Sequence, residues 1–206
     1  WANRALEGQG LAVVSDKVGL VRSMVESKAQ SLRAETERLG DIFAASFGEN
    51  FSVNASGDGM PVLLHGSTVM NLRTQEVDRF TATSGATATL FARKGDEFYR
   101  VATSVKKENG ERAVGTPLAH DQPAYARLMA GERYIGKAVL FGSDTYTGYA
   151  PIKDSGGKVV GATFVGRKFS DEMAMLNKQI KTVHFGDTGY IYVLDSAPGK
   201  NFGALV

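Results

Sequence analysis

Apolar residues recur at steps of three and four through the first fifty positions, which is the spacing of one face of an α-helix. No proline interrupts Leu11–Gly48, and polar and charged residues fill the other faces. The apolar stripe consists of Leu11, Val14, Val18, Val21 and Val25, and it resumes at Leu32, Leu39, Ile42 or Phe43, and Phe47. The pattern predicts one long helix over Leu11–Gly48. A helix of that length exceeds the width of a domain of this size, so we expect part of it to project or to pair with a second copy of the chain.

A cluster of turn-forming residues between Asn50 and Val62 is followed by alternation of apolar and polar positions, the pattern of β-strands. The predicted strands are Val62–His65, Ala86–Ala92, Glu97–Val105, Tyr134–Phe141, Thr145–Lys153 and Val159–Val165. A short helix is predicted over Gln122–Met129, where Pro123 suits the first turn. The fold class is therefore α+β, with one antiparallel sheet, a long helix laid against it, and a short helix with loops on its other face.

A further helix is predicted after Phe169, because Ser170 suits an N-cap and two acidic residues follow it. A glycine-rich turn and a strand over Tyr190–Leu194 come next. This helix–glycine–strand order indicates that a second, smaller module begins here and is not completed before Val206. We therefore divide the chain into residues 1–50, 51–168 and 169–206.

Composition narrows the range of functions. Of the 206 residues, 43% are hydrophobic and 22% charged, and the net charge is only +2, without long basic runs. That balance is typical of a soluble globular protein and argues against nucleic-acid binding. The chain has no cysteine, which excludes disulfides, cysteine-based metal sites and thiol nucleophiles. Because His65, His120 and His184 lie far apart and no nucleophile motif occurs, we expect no enzyme, metal or cofactor. A hydrolase using His65 or His120 is a remote alternative.

The strand at Glu97–Val105 suggests a binding function. Strict alternation places Phe98, Arg100, Ala102 and Ser104 on one face, and a mid-strand arginine is costly to bury unless an anion meets it. An arginine fork beside tyrosine and threonine hydroxyls would form a small anion pocket. The side chains that we expect to converge there are Arg100, Ser104, Arg112, Thr116, Tyr134, Thr147, Tyr149 and Lys153. A solvent-facing sheet surface with alternating polar residues explains the same pattern, and the pattern alone leaves both interpretations open.

Ordered blocks from about residue 60 to the end of the chain resemble the Cache superfamily, specifically the Cache 3/Cache 2 fusion type. The blocks are Val77–Phe80, Ser84–Arg100, Gly110–Leu118, Pro123–Tyr125, Gly131–Gly136, Leu140–Gly142, Tyr149–Asp154 and Gly156–Gly166. Gly186–Asp195 looks like the opening of the Cache 2 half. Each block is short, and their order makes the resemblance specific.

The resemblance implies a PAS-like extracytoplasmic sensor domain of a bacterial methyl-accepting chemotaxis protein or sensor kinase. It further implies flanking transmembrane helices, a periplasmic location in a membrane-anchored parent protein, a homodimer through the N-terminal helix, and a small-molecule pocket over the sheet. Residues 1–50 would be the signalling helix, 51–168 the sensor module and 169–206 an incomplete second Cache-like module.

Our functional hypothesis is the ligand-binding region of a transmembrane chemoreceptor. Arg100 and Arg112 would bridge a small organic acid or amino acid, and the closure would pass a conformational signal to the helices. Two alternatives are the sensor of a histidine kinase and an interaction module that reads a periplasmic binding protein without a direct small-molecule ligand.

Overall fold

The computed structural model describes residues 2–55, 57–185 and 189–190, with side chains for 12–55, 57–170 and 172–183. The chain divides into two compact units, one formed by Leu32–Phe169 and the other by the segments up to Ser31 and from Ser170 onward. The boundaries expected from the sequence, after residues 50 and 168, remain a prediction.

The long helix is present as α1, Ala2–Ala45. Within the Leu32–Phe169 unit its buried residues Leu39 and Phe43 pack against the sheet. Two glycines allow this close approach. A Cβ on Gly40 would lie 3.6 Å from Val165, and a Cβ on Gly148 would lie 3.4 Å from the Thr36 side chain.

The central sheet is antiparallel and has the strand order β5-β4-β8-β7-β6. Its strands are β4 (Thr87–Lys94), β5 (Glu97–Thr103), β6 (Tyr134–Leu140), β7 (Ser143–Lys153) and β8 (Val159–Lys168). The last three form the predicted meander, and β8 then pairs with β4 in the middle of the sheet. A smaller antiparallel sheet contains β1 (Phe51–Asn54), β2 (Val62–His65) and β3 (Thr68–Val69). The α+β prediction of a long helix on a central antiparallel sheet is confirmed.

Helix α2, Thr74–Ser84, was not predicted from the sequence. It buries Val77 against the sheet and ends at Gly85, whose positive φ of 72° forms a left-handed cap with its N–H bonded to the Thr81 carbonyl. The short helix α3, Pro123–Met129, lies where it was predicted and has its proline in the first turn.

The central sheet carries a hydrophobic core on each face, since successive residues of β4 point in opposite directions. Leu90 and Ala92 belong to the core that contains α1 and α2 residues, which we call the helix-side core. Phe91, between them, belongs to the core that contains α3 and the loop residues Ala113 and Leu118, which we call the loop-side core. The helix-side core packs α1 and α2 against the sheet. The loop-side core contains Tyr149 and contacts Arg100, two residues of the predicted site.

The strict alternation assumed for β5 is wrong after Arg100. Phe91 pairs with Arg100 but Leu90 pairs with Ala102, so Val101 is an extra residue that forms a β-bulge. Val101 and Ala102 therefore both pack into the helix-side core. From Ala102 onward, each residue therefore faces the side of the sheet opposite to the one that strict alternation assigns to it.

In the second unit, α4 is Ser170–Ile180 and the two-residue strands β9 (His184–Phe185) and β10 (Gly189–Tyr190) pair with each other. Leu176 and Ile180 of α4 bury an apolar face against Val21 of α1. Most of the predicted strand Tyr190–Leu194 and the rest of the expected second module lie outside the described residues. Among the helices that the structure describes, none is long and apolar enough to span a membrane.

Candidate ligand-binding site

Arg100 lies on β5 with its side chain in the loop-side core, where it is only 6% exposed. Its guanidinium carbon lies 5.0 Å from the Phe91 ring centroid and 5.7 Å from that of Phe141. Its Nη1 donates hydrogen bonds to Thr116 Oγ1 at 2.9 Å and to the Pro117 carbonyl at 3.1 Å. These contacts fix the position of the guanidinium without neutralising its charge.

The Nε of Arg100 is buried and has no hydrogen-bond partner, and no described carboxylate lies within ion-pair distance of this side chain. Burial accordingly lowers the pKa of Arg100, opposed by a weaker electrostatic effect of Tyr149. The guanidinium remains protonated, because the ordinary pKa of arginine lies far above neutral pH. An unpaired buried cation is unfavourable, although the aromatic rings offset part of the cost.

Tyr149, on β7, supplies a second unsatisfied group in the same core. Its ring is 2% exposed and lies 6.3 Å from Phe91 and 4.9 Å from Phe164, measured between centroids. Its hydroxyl is buried without a partner. Burial raises the pKa of Tyr149 to about 12, and the nearby positive charge of Arg100 opposes that rise. The neutral phenol is therefore available as a hydrogen-bond donor beside a cation.

Two predicted threonines occupy supporting positions. Thr116 accepts from Arg100 and donates to the Ala113 carbonyl at 2.7 Å, so it holds the guanidinium in place. Thr147 is fully buried and donates to the Gly136 carbonyl of the neighbouring strand at 2.9 Å. Its hydroxyl proton is thus already engaged within the sheet.

Tyr134 is half-buried beside Tyr149, with ring centroids 6.4 Å apart, and burial raises its pKa. A Cβ on Gly136 would collide with the Tyr134 hydroxyl oxygen, so the glycine lets this ring lie flat along β6. Tyr134 therefore closes one side of the loop-side core beside Tyr149.

The second predicted arginine is neutralised within the protein. Arg112 donates to both carboxylate oxygens of Asp78 on α2, at 2.7 and 2.8 Å, and to the Thr103 carbonyl at 2.8 Å. The bond from Arg112 lowers the pKa of Asp78. The expected joint action of Arg100 and Arg112 on one anion would require this ion pair to open.

Two other predicted residues lie away from Arg100. Ser104 bonds to the Thr81 hydroxyl of α2 at 2.7 Å, because the bulge at Val101 turns it to the helix side. The prediction that Ser104 shares the face of Arg100 is therefore wrong. Lys153 is exposed, and its side chain reaches toward Gly131. It lies four residues after Tyr149 in β7, a separation of about 13 Å along an extended strand.

Sequence reasoning missed Phe91, Phe141 and Asp78, the residues that determine how the two arginines behave. The sequence pattern places Phe91 and Phe141 in strands and does not indicate their contact with Arg100. Asp78 belongs to the unpredicted helix α2, and the spacing of Val77 and Phe80 with a following glycine at position 85 would have indicated that helix.

Two of the histidines contact residues that lie next to them in the fold. His65 Nε2 contacts the Glu49 carbonyl at 2.9 Å, and His120 pairs with Glu97 and stacks on Tyr125. No group of three or more metal-binding side chains occurs among the described residues.

Comparison with solved structures identifies the architecture. The sensor domain of the Vibrio cholerae histidine kinase DctB has a TM-score of 0.51 and 12% identity, over 96% of this chain and 74% of that one. The periplasmic domain of RsbU from Chlamydia trachomatis has a TM-score of 0.50 and 16% identity, over 84% of this chain and 59% of that one. This chain thus spans less than two thirds of the RsbU domain. No curated protein sequence matches this chain.

A third similar structure is the ligand-binding domain of the Campylobacter jejuni chemoreceptor Tlp3 in complex with L-valine. It has a TM-score of 0.42 and 12% identity, over 86% of this chain and 65% of that one. The family model described as the Cache 3/Cache 2 fusion domain matches residues 7–206. Because this family model matches nearly the whole chain, this protein belongs to the Cache 3/Cache 2 fusion family.

Proposed function

We propose that this domain is the extracytoplasmic sensor of a transmembrane chemoreceptor and that it binds a small organic acid. The observation that carries the proposal is the pair of unsatisfied groups in the loop-side core, Arg100 Nε and the Tyr149 hydroxyl. A carboxylate accepts hydrogen bonds from both kinds of donor and would neutralise the guanidinium. Burial in an aromatic environment would strengthen that interaction.

In this proposal Arg100 is the anchor of the carboxylate and Tyr149 orients it. Thr116 and Phe91 hold the guanidinium, and Tyr134 borders the apolar part of the ligand. Arg112 keeps the segment after β5 attached to α2 through Asp78, so we assign it a structural part. Because that ion pair is half exposed, it opens at little free-energy cost if a larger ligand reaches it.

A thermal-shift screen with matched pairs of ligands tests the proposal. Acetate, propionate and lactate are compared with acetamide, propionamide and lactamide, which keep the shape but lack the charge. A carboxylate at a hundred times its Kd would stabilise the domain by about 2.7 kcal/mol, whereas its amide would not. Arg100→Gln should abolish the shift.

Arg112→Gln is the matched control, because it removes a guanidinium that is already paired with Asp78. Equal shifts with amides, or undiminished carboxylate binding in Arg100→Gln, would reject the carboxylate site. If no small molecule of a wider organic-acid and amino-acid panel binds, a module that reads a periplasmic binding protein becomes the better hypothesis.

We further propose that α1 forms a homodimer. Val14 and Val18 are 42% and 49% exposed although they continue the apolar stripe, and Val13 and Leu20 beside them are more exposed still. A second copy of α1 would cover them in the manner of a coiled coil. Light scattering tests this directly. The wild-type domain should be a dimer that Val14→Lys with Val18→Lys converts to monomer, and a wild-type monomer at high concentration would contradict it.

A further inference from the structure

The turn between β6 and β7 holds its residues in an unusual conformation. Leu140 pairs with Ser143, so the turn consists of Phe141 and Gly142 alone. Their φ angles are 45° and 77°, and positive values at both positions define a type I′ turn. Asparagine, aspartate and glycine favour that geometry, whereas a phenylalanine in the left-handed region is strained. Such strain persists where another contact compensates it.

The compensating contact of Phe141 is with Arg100. The Phe141 ring centroid lies 5.7 Å from the guanidinium carbon, and the ring packs at the border of the loop-side core. Phe91 contacts the guanidinium as well, at 5.0 Å. The turn therefore places the Phe141 ring over a buried cation, while the backbone of Phe141 stays in a strained conformation.

On its outer side, Phe141 lines a groove of about 440 Å³ between the ends of the strands. The groove is rich in positive charge, because Lys106, Lys107 and Lys168 line it with Glu108 as the only described acidic residue. None of these lysines lies within ion-pair distance of a described carboxylate, although Lys106 interacts electrostatically with Asp78 at longer range. A concave surface with an excess of positive charge concentrates small anions.

We propose that Phe141 is a gate between this lysine-lined groove and Arg100. This inference rests on the proposed function and adds its access route. A small anion collects in the groove, and the turn swings outward so that the anion passes to the guanidinium. The backbone strain released at Phe141 offsets the lost cation–π contact, since the two are of similar size, so the closed state is only slightly favoured.

Chemical modification of arginine by phenylglyoxal tests the gate without any ligand. In the wild-type domain we expect Arg100 to react at least ten times more slowly than the exposed Arg79, as read by mass spectrometry of the peptides. In Phe141→Asn, which suits a type I′ turn, the Arg100 rate should rise at least fivefold while that of Arg79 stays the same. Phe141→Tyr keeps the ring and should keep the protection.

The variant is informative only if it is folded, and the turn preference predicts that Phe141→Asn melts no earlier than the wild type. Phe141→Gly gives a second test on the same reasoning. Fast modification of Arg100 in the wild type, or equal protection in folded Phe141→Asn and Phe141→Gly, would overturn the gate.

The two proposals fail in different ways. If Arg100 becomes reactive in Phe141→Asn but no carboxylate binds, the gate is supported and the carboxylate function is rejected. If a carboxylate binds to Arg100 but its association rate and the phenylglyoxal reaction are unchanged in Phe141→Asn, the function stands and the gate is rejected.

Discussion

Arg112 and Asp78 form a two-pronged ion pair that joins the segment after β5 to α2, with Nη1 2.7 Å from Oδ1 and Nη2 2.8 Å from Oδ2. The two side chains are 35% and 42% exposed, so water and salt screen the attraction. The pair satisfies an arginine that the sequence pattern predicts to bind an external acid.

Arg112→Gln should lower the free energy of unfolding by no more than about 1 kcal/mol at neutral pH, the range of exposed ion pairs. Because Arg112 lowers the pKa of Asp78 in the folded state, its contribution is present above the ordinary carboxyl pKa and is lost as the pH falls through the lowered value. Urea unfolding of both proteins at neutral and acidic pH measures this. The difference between them should shrink in acid, and a constant difference would contradict the assignment.

Arg100→Met should change the free energy of unfolding by less than about 1 kcal/mol, although the residue is almost completely buried. The variant loses hydrogen bonds to Thr116 and Pro117 but also removes an unpaired buried charge, and the two effects oppose each other. Phe91→Ala, at the ring beneath it, should cost about 3–5 kcal/mol. Comparable large losses in both variants would mean that Arg100 is a structural residue.

Tyr149→Phe should make the domain more resistant to alkali. The pKa of Tyr149 is raised to about 12 by burial, compared with about 10 in the unfolded chain. Its contribution to stability is therefore full below pH 10 and is lost as the pH rises to about 12, a decline of about 2–3 kcal/mol. Denaturant unfolding across this range should show a shallower decline in the phenylalanine variant. Parallel curves would indicate that another group governs alkaline unfolding.

Gly161→Ala should destabilise the domain strongly, since a Cβ at this position would collide with the Phe91 carbonyl oxygen of the paired strand. Gly19→Ala makes the same chemical change in α1, where no atom lies within 4 Å, and should stabilise by up to about 1 kcal/mol. Thermal unfolding of the two variants should shift in opposite directions. A tolerated Gly161→Ala would show that β4 and β8 can separate locally.

The fold was largely predictable because the spacing of apolar residues within a long segment identifies it as helix or strand without knowledge of its partners. The stripe of α1 and the meander of β6, β7 and β8 appear where the spacing placed them. Helix α2 was missed because its single fully buried residue, Val77, gives a weak apolar pattern. The strands β1 and β3 are shorter still and depend on pairing with β2.

The candidate site was predictable only in part. Arg100 and Tyr149 were both named from the strand patterns, and both are buried in the structure, while their part in ligand binding stays a prediction. The alternation pattern failed for Ser104 because a bulge depends on pairing with a neighbouring strand and leaves no local mark at Val101. It could not anticipate the partner of Arg112, since Asp78 lies thirty-four residues earlier on an unpredicted helix.

The extra residue in β5 also has a genetic consequence. A one-codon deletion at Val101 would remove the bulge and leave Ala102 on the helix side, with Val105 still on the loop side. The same deletion at Tyr99 would move the residues before it to the opposite face. Libraries of this domain should therefore accept a deletion at position 101 more readily than one at position 99.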